Sequence, residues 1–266
     1  MAAVVGLNTS VVHRYIYELR YDFGHAYWDR CGRVINEIIA AHEKWNFENM
    51  GSGACHLRSS EQNLDFNYGW AKLDLSQTQD REVLTLLPAG EFGALAESLT
   101  EVVVRTLQLG DFTRIGFRSH YLFPTGSVDE AHGLLKRLKL FRMDPGTESE
   151  IGVTSEVSYR TVVQRPEHKL RIAVAPFEQQ VNLPPGVIQA ARAKARDHWK
   201  DQKDVIKAKL KAQHMIKHLP QYGLLLDLDA SLEEPPYPDS ISVSDFVTRA
   251  ERDFRDLTPK ILKALD

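Results

Sequence analysis

The feature that most constrains the fold of this chain is a pattern of elements that occurs twice. Each time, an aromatic-rich segment alternates between apolar and polar residues, and a stretch with helical spacing follows it. The first copy begins at residues 12–22 and the second at residues 111–123. A period of two predicts a strand with one buried face, whereas apolar residues three and four positions apart predict an amphipathic helix. We therefore expect an antiparallel sheet covered by helices, which is an α+β fold.

The other elements repeat the same order in both halves of the chain. Helical spacing covers residues 26–43, 90–109 and 242–265, and Ser127-x-x-Glu130 has the spacing of a capping box at a helix start. Shorter strands are predicted at residues 64–68, 70–75, 82–87, 151–164, 170–176 and 222–230. Residues 1–109 and 110–266 thus each follow the order strand, helix, antiparallel strands, helix. This order is typical of helix-grip and TATA-binding-protein-like folds, and it favours an internal duplication.

The second half also contains a strongly basic segment before its last strand. Residues 187–218 hold nine Lys or Arg against three Asp, a net of about +6, while the whole chain has a formal charge of −3. The remainder therefore sums to about −9. We expect a long inserted helix, or two helices with a break near His214, that places cations on one face. The candidate partner-binding residues are Arg192, Arg196, Trp199, Lys200, Lys203, Lys207 and Lys211.

Several partners suit such a helix. It can pack on the acidic body of its own chain, bind another protein or a second copy of this one, or bind the phosphates of nucleic acid. Phosphates reward an array of cations through counterion release and need no base contacts. No zinc ligands, helix-turn-helix signature or RNA-binding aromatic motif accompany the basic segment. The sequence favours a non-catalytic binding or assembly protein, with nucleic-acid binding through the same helix as an alternative.

A second alternative is a metal-dependent hydrolase or nuclease centred on Asp227 and Asp229. The two residues lie two positions apart on a predicted strand, so both carboxylates project from one face and are candidate Mg²⁺ ligands. No Gly-rich phosphate loop accompanies them. His214 and His218 have a spacing that suits zinc, although the Glu of a zincin motif is absent. No serine or cysteine has the sequence surroundings of a known catalytic nucleophile, and we expect no cofactor.

The start of the chain and its cysteines indicate the cellular compartment. Residues 1–7 lack a basic start, and their apolar run is too short for a signal peptide or a membrane span. The chain has two cysteines, Cys31 and Cys55, and Cys31 lies on the apolar stripe of a predicted helix, as a small core residue does. We therefore expect a cytoplasmic protein with no membrane contact.

Two short motifs resemble a known family. The run FTRIGFR at residues 112–118 resembles the "RiGlRY" strand of a sporadically distributed bacterial family of unknown function. The run LLLDLD at residues 224–229 is similar to the late "lDiD" strand of that family, and the last helix resembles its C-terminal helix. This chain has Ser119 and His120 where the family has Tyr and Asn. The resemblance implies a bacterial protein, often encoded near mobile or defence genes, with no assigned activity.

Overall fold

The computed structural model describes residues 10–137, 158–181, 183–195, 199–238 and 240–263. Within these ranges the strands are β1 (Val11–Tyr21), β2 (Asn46–Met50), β3 (Ala54–Ser59), β4 (Leu64–Gly69), β5 (Lys72–Thr78), β6 (Phe112–Thr125), β7 (Tyr159–Gln164), β8 (Lys169–Glu178) and β9 (Tyr222–Glu233). The α-helices are α1 (Tyr27–Ala41), α2 (Ala89–Leu107), α3 (Val128–Arg137), α4 (Pro185–Ala195), α5 (Trp199–His214) and α6 (Val243–Lys263). The prediction of an α+β fold is confirmed.

All nine strands belong to one sheet, in which every neighbouring pair is antiparallel. The strand order is β2-β3-β4-β5-β1-β6-β9-β8-β7. β1 and β6 pair at the centre, where Tyr17 lies opposite Phe117. The strands of residues 1–109 therefore lie on one side of this pair and those of residues 110–266 on the other. One continuous hydrophobic cluster spans both parts.

One face of the sheet packs against α1, α2, α3 and α6. The alternation in β1 directs its aromatic residues to this face, because successive side chains of a strand point to opposite sides. The buried residues of β1 on this face are Tyr15, Tyr17, Leu19 and Tyr21. Phe117 of β6 stacks on Phe254 of α6, with ring centroids 5.8 Å apart and planes 8° from parallel. The last helix therefore packs directly on the central strands.

The opposite face of the sheet, called the open face below, carries the polar residues of the same strands. At its centre lie Glu18 on β1, Arg114 and Arg118 on β6, and Asp227 and Asp229 on β9. The period of two places all of them on the side away from the four packed helices. A two-layer arrangement of this kind leaves one surface of the sheet to interact with something other than the core.

Two predictions about the connections can be compared with the structure. Ser127 Oγ accepts a hydrogen bond from the N–H of Glu130 at 3.1 Å, so the predicted helix start is confirmed. The predicted strand at residues 82–87 is wrong. Asp80 Oδ1 accepts hydrogen bonds from the N–H groups of Glu82 and Val83 at 2.9 and 2.8 Å. These side-chain bonds take the place of a strand partner and hold the segment as a loop.

The sequence did not predict the edge strand β2 or its neighbour β3. All five residues of β2 are exposed, so its sequence has no alternation of apolar and polar residues. The strand predicted over residues 151–164 is only partly described, since residues 151–157 lie outside the described ranges and Tyr159–Gln164 forms β7.

None of the helices in the described ranges is long and apolar enough to cross a membrane.

Candidate functional site

The basic segment forms two helices, α4 and α5, between β8 and β9. We call these two helices the basic arm. The sequence allowed one helix or two with a break near His214. Helix α5 ends at His214, but no helix follows in residues 215–221, and the two helices are separated instead by residues 196–198, which lie outside the described ranges. Arg196 lies outside the described residues, and Trp199 is the first residue of α5. Arg192 is exposed on α4.

Four lysines lie along one face of α5. They occur at positions 200, 203, 207 and 211, and steps of three or four residues return to the same side of a helix. Lys200, Lys203 and Lys207 are exposed, and none of them forms an ion pair with another described residue. Lys211 is partly buried and its Nζ lies 2.8 Å from Glu178 Oε1 at the end of β8. The lysine face therefore points to solvent and is attached to the sheet at its C-terminal end.

Gln179 fixes the point at which the basic arm returns to the sheet. Its Oε1 accepts a hydrogen bond from the N–H of Ile216 at 2.7 Å, and its Nε2 donates to the carbonyl oxygen of Ile216 at 3.2 Å. Its own N–H donates to the carbonyl oxygen of Gln221 at 2.9 Å. Leu219, between these contacts, is buried. A buried glutamine that satisfies both its amide groups in this way gives the segment after α5 one defined position.

The predicted pair of His214 and His218 does not share a helix face. The helix ends at His214, whose Nδ1 lies 2.9 Å from the carbonyl oxygen of Leu210, and His218 follows in the connection to β9. The spacing of four residues therefore does not place the two histidines side by side on a helix. Across the described ranges, no group of three or more His, Cys, Asp or Glu side chains is arranged to hold a metal ion.

Asp227 and Asp229 do project from one face of β9, as the sequence predicted, and each meets an arginine of β6. Arg118 donates from Nε to Asp227 Oδ1 at 2.6 Å and from Nη2 to Asp227 Oδ2 at 2.5 Å. Arg114 donates from Nη2 to both carboxylate oxygens of Asp229, at 2.9 and 3.2 Å. Arg118 therefore meets Asp227 with two parallel hydrogen bonds, which are stronger than a single-point contact, whereas one nitrogen of Arg114 is shared between the two oxygens of Asp229.

Arg114 links the two halves of the sheet across Gly116. Its Nη1 donates to Glu18 Oε1 of β1 at 2.7 Å while its Nη2 binds Asp229 of β9. The guanidinium lies over Gly116, where an added Cβ would be only 2.7 Å from Nη1 and 2.9 Å from Cζ. Glycine at this position therefore leaves room for the guanidinium above the strand, between Glu18 and Asp229. The connected residues Glu18, Arg114, Asp229, Arg118 and Asp227 are called the ion-pair network below.

Burial and charge act against each other within the ion-pair network. Burial would raise the pKa of the Glu18 carboxyl, but hydrogen bonding and charge from Arg20, with the charges of Lys72 and Arg114, outweigh it and lower that pKa. Burial does raise the pKa of the Asp229 carboxyl, although Arg114 opposes this. The hydrogen bonds to Asp227 raise the pKa of Arg118, which keeps that guanidinium charged.

Two histidines border the network and are neutral at ordinary pH. Burial, with the positive charge of Arg14, lowers the pKa of His13 to about 4. Burial also lowers the pKa of His120 to about 4, against the raising effect of Asp227, whose Oδ1 lies 3.6 Å from His120 Nε2. The ring of His13 reaches across β6 and β9 to Phe177 of β8, with centroids 6.5 Å apart. The end of the open face near the basic arm is therefore partly covered.

The contacts of Asp227 and Asp229 disfavour the predicted metal site. A divalent cation prefers carboxylate oxygens, and both oxygens of Asp227 and Asp229 already accept hydrogen bonds from arginine. A metal ion would have to displace a guanidinium from each. As the structure stands, these carboxylates connect strands β6 and β9.

The chain matches no family model and no curated protein. The resemblance to a bacterial family of unknown function therefore stays a prediction. The structure does relate the two motifs on which it depends, since Arg114 and Arg118 of the first bind Asp229 and Asp227 of the second.

The two motifs were predicted as separate strands, with no contact between them. The sequence did contain an indication of this contact. Arginines four positions apart on a strand point to one face of it, and so do aspartates two positions apart on another strand. The sequence did not show which strands are neighbours, however, since 109 positions or more separate the partners and the strand order is set by the whole sheet.

Proposed function

We propose that this protein is a non-catalytic binding protein whose basic arm contacts the phosphates of nucleic acid. The observation that carries the proposal is the lysine face of α5. Lys200, Lys203 and Lys207 point to solvent without an ion-pair partner among the described residues, on a chain whose remaining charge is negative. Lysines that lie on one helix face and point away from the acidic remainder of the chain are suited to bind a polyanion.

The composition of α5 favours phosphates over a protein partner. Lysine is depleted at the centre of protein interfaces, where large apolar and aromatic residues provide most of the binding energy. Of the described residues of α5, Val205 is the large apolar side chain with substantial exposure, at 55%. Among the side chains of α5 that the structure describes, which do not include Trp199, this one valine offers little apolar area to a protein surface. A row of lysines needs only phosphates at comparable spacing.

The test is a titration of labelled duplex DNA, duplex RNA and single strands at several salt concentrations. Three lysines that each neutralise one phosphate of a duplex predict a slope of about −3 for log affinity against log salt. A protein partner that buries apolar surface would show a much weaker salt dependence. No binding at low salt would reject the proposal and direct attention to an acidic protein partner.

Two single variants on α5 provide a matched comparison. Lys207→Gln removes a cation from the lysine face, whereas Lys209→Gln removes one from roughly the opposite side of the same helix. We expect Lys207→Gln to weaken binding and to reduce the salt slope by about one, because one phosphate contact is lost. Lys209→Gln should leave the slope unchanged. Equal effects of both variants would mean that net charge, and not this face, determines binding.

We further infer that the fold is a duplicated helix-grip or TATA-binding-protein-like sheet with the basic arm as an insertion. The strand order supports this. In the first half β5 lies beside β1 and β4 beside β5, and in the second half β9 lies beside β6 and β8 beside β9, in mirror-image order. The connection from β4 to β5 is a short turn, whereas the equivalent connection from β8 to β9 holds α4 and α5. A metal-dependent hydrolase, a role in defence, a bacterial source and a cytoplasmic location stay predictions.

A further inference from the structure

Four exposed aromatic side chains lie together at the end of β1 that is far from His13 and the basic arm. Phe23 and His25 belong to the connection from β1 to α1, Trp28 to the first turn of α1, and Trp70 to the turn between β4 and β5. Phe23 is 73% exposed, Trp28 53% and Trp70 47%. We call these four residues the aromatic end. A cluster of large exposed rings on a protein surface marks a site of interaction.

Three of these rings are nearly parallel. The planes of His25 and Trp28 differ by 18°, with centroids 6.5 Å apart, and those of Trp28 and Trp70 differ by 20°, with centroids 6.4 Å apart. The surface therefore presents aromatic faces of a common orientation. Such faces suit a flat group that stacks on them better than a compact one that needs a cage of crossed rings.

The backbone, and not only side-chain packing, holds the aromatic end together. Phe23 has a φ of 58°, in the left-handed region that residues with a side chain rarely adopt. Gly24 follows it and packs so closely on the β4–β5 turn that an added Cβ would lie 2.2 Å from the carbonyl oxygen of Trp70. Uncommon backbone conformations of this kind persist where the surrounding structure imposes them, and they concentrate at functional sites.

Three aspartates lie close to the aromatic end in sequence or through the backbone. Asp22 and Asp29 flank it in sequence, and the N–H of Asp22 donates to the carbonyl oxygen of Asp111 at 2.9 Å. All three aspartates are exposed, and none forms an ion pair with another described residue. Three exposed carboxylates without an ion-pair partner among the described residues therefore accompany the rings.

The guanidinium groups of the neighbouring arginines already form hydrogen bonds within the chain. Arg20 Nε donates to Glu18 Oε1 at 2.8 Å, and Arg30 Nη1 donates to the carbonyl oxygen of Thr106 at 3.0 Å. A phosphate would meet repulsion from the three aspartates here, so this end is unsuited to the backbone of nucleic acid. A ligand that is flat, cationic and able to bind carboxylates fits both the rings and the charge.

We propose that the aromatic end binds an arginine-bearing segment of a partner protein. The guanidinium group is planar, stacks on aromatic faces and binds carboxylates with its outer N–H groups. Trp28 and Trp70 provide the stacking faces, and Asp22 and Asp111 provide the counter-charge. The site is independent of the basic arm, so it does not rest on the proposed binding of nucleic acid.

The test is a titration of the full chain with three short blocked peptides, rich in arginine, in lysine and in glutamate, and with a single-stranded oligonucleotide. We expect the arginine peptide to bind several-fold more tightly than the lysine peptide and the glutamate peptide not to bind. The double variant Trp28→Ala/Trp70→Ala should weaken arginine-peptide binding about tenfold, since two stacking contacts are lost. Asp22→Asn should weaken it less and reduce its salt dependence, with all rings still present.

Two variants serve as matched controls. Val162→Ala removes an exposed apolar side chain from β7, and Glu101→Gln removes an exposed charge from α2. Both should bind the arginine peptide as the unmodified chain does. Circular dichroism of every variant shows whether the fold is intact.

Several outcomes would overturn the proposal. One is arginine-peptide binding that survives the loss of both tryptophans, and another is the absence of any such binding at low salt. Oligonucleotide binding that Trp28→Ala/Trp70→Ala abolishes would mean that the rings stack on bases instead. A dimer in light scattering that the same double variant dissociates would make a second copy of this chain the occupant, in place of a separate partner.

Discussion

Arg118 and Asp227 form a two-point ion pair between the central strands β6 and β9, with N–O distances of 2.6 and 2.5 Å. The arginine belongs to the first of the two family-like motifs and the aspartate to the second. The Asp227 side chain is 13% exposed and that of Arg118 43%, so water reaches only one partner readily. This asymmetry determines what each substitution should cost.

We expect Asp227→Ala and Arg118→Ala to destabilise the fold to different extents. Arg118→Ala leaves a poorly solvated carboxylate, at a cost of about 1–3 kcal/mol. Asp227→Ala leaves a guanidinium that can turn towards water, so it should cost less. Urea denaturation of both single variants and the double variant gives the coupling energy. A coupling near zero would show that the pair contributes nothing beyond solvation of each group.

Gly116→Ala should destabilise the protein through Arg114. The new methyl group would lie within 3 Å of the guanidinium and push it away from Glu18 and Asp229. Asp229 is 9% exposed and would keep only the longer contact with Arg171 at 3.8 Å, so loss of the Arg114 pair should cost about 1–3 kcal/mol. The measurement is the free energy of unfolding in urea.

Gly32→Ala is the matched control for that substitution. Gly32 lies within α1, and an added Cβ meets no atom within 4 Å. Alanine favours a helix over glycine by about 0.5–1 kcal/mol, so this variant should be more stable than the unmodified chain. A loss of stability in Gly32→Ala, or none in Gly116→Ala, would contradict the respective argument.

We expect stability to fall as the pH decreases from about 6.5 to about 4. The pKa values of His13 and His120 are about 4 in the folded protein, whereas an exposed histidine has a pKa of about 6.5. Between these values the unfolded chain binds more protons, so their stabilising effect is complete above the higher value and is lost on acidification. Arg14 and Arg118 favour the neutral rings and Asp227 opposes them. Thermal unfolding across this range measures the effect.

His120→Gln tests the origin of that pH dependence. Glutamine does not titrate, so the variant should lose stability less steeply between about pH 6.5 and 4. His25→Gln is a control, since His25 is exposed at the surface. If the stability of His120→Gln depended on pH as steeply as that of the unmodified chain, the acid sensitivity would come from other groups.

Phe254→Ala should be among the most destabilising substitutions. Phe254 is fully buried and stacks on Phe117 at 5.8 Å, so its loss leaves a cavity between α6 and the central strands. Such changes cost about 3–5 kcal/mol. Phe254→Leu keeps much of the volume and should cost clearly less, which urea denaturation can resolve. Similar costs for both would indicate that the core relaxes around the site.

The elements that the sequence predicted well have one fully buried face. In β1 the alternation of Tyr15, Tyr17 and Leu19 with polar residues follows directly from a strand packed on one side. The segment at residues 82–87 has apolar residues too, but side chains of Asp80 and Gln79 bind its backbone and replace a strand partner. β2 is exposed along its length and has no pattern to find.

For the candidate sites, the sequence identified residue types but not their partners. The lysines of α5 and the aspartates of β9 were found, because spacing alone places them on one face. That Arg114 and Arg118 hold those aspartates was not found, and neither was the contact of the Trp70 turn with Gly24. Both relationships join segments that are distant in the chain.

The sequence by itself determined the charge asymmetry. It also determined the types of most elements and the side of each predicted strand on which a residue lies, because these depend on local periods of 2 and 3.6 residues. The tertiary structure alone decided the order of the strands, and through it which charges meet. It placed β6 between β1 and β9, so that Arg114 reaches a carboxylate on each side across Gly116. The reason is that strand order results from burying all the apolar faces at once, and no local segment contains that information.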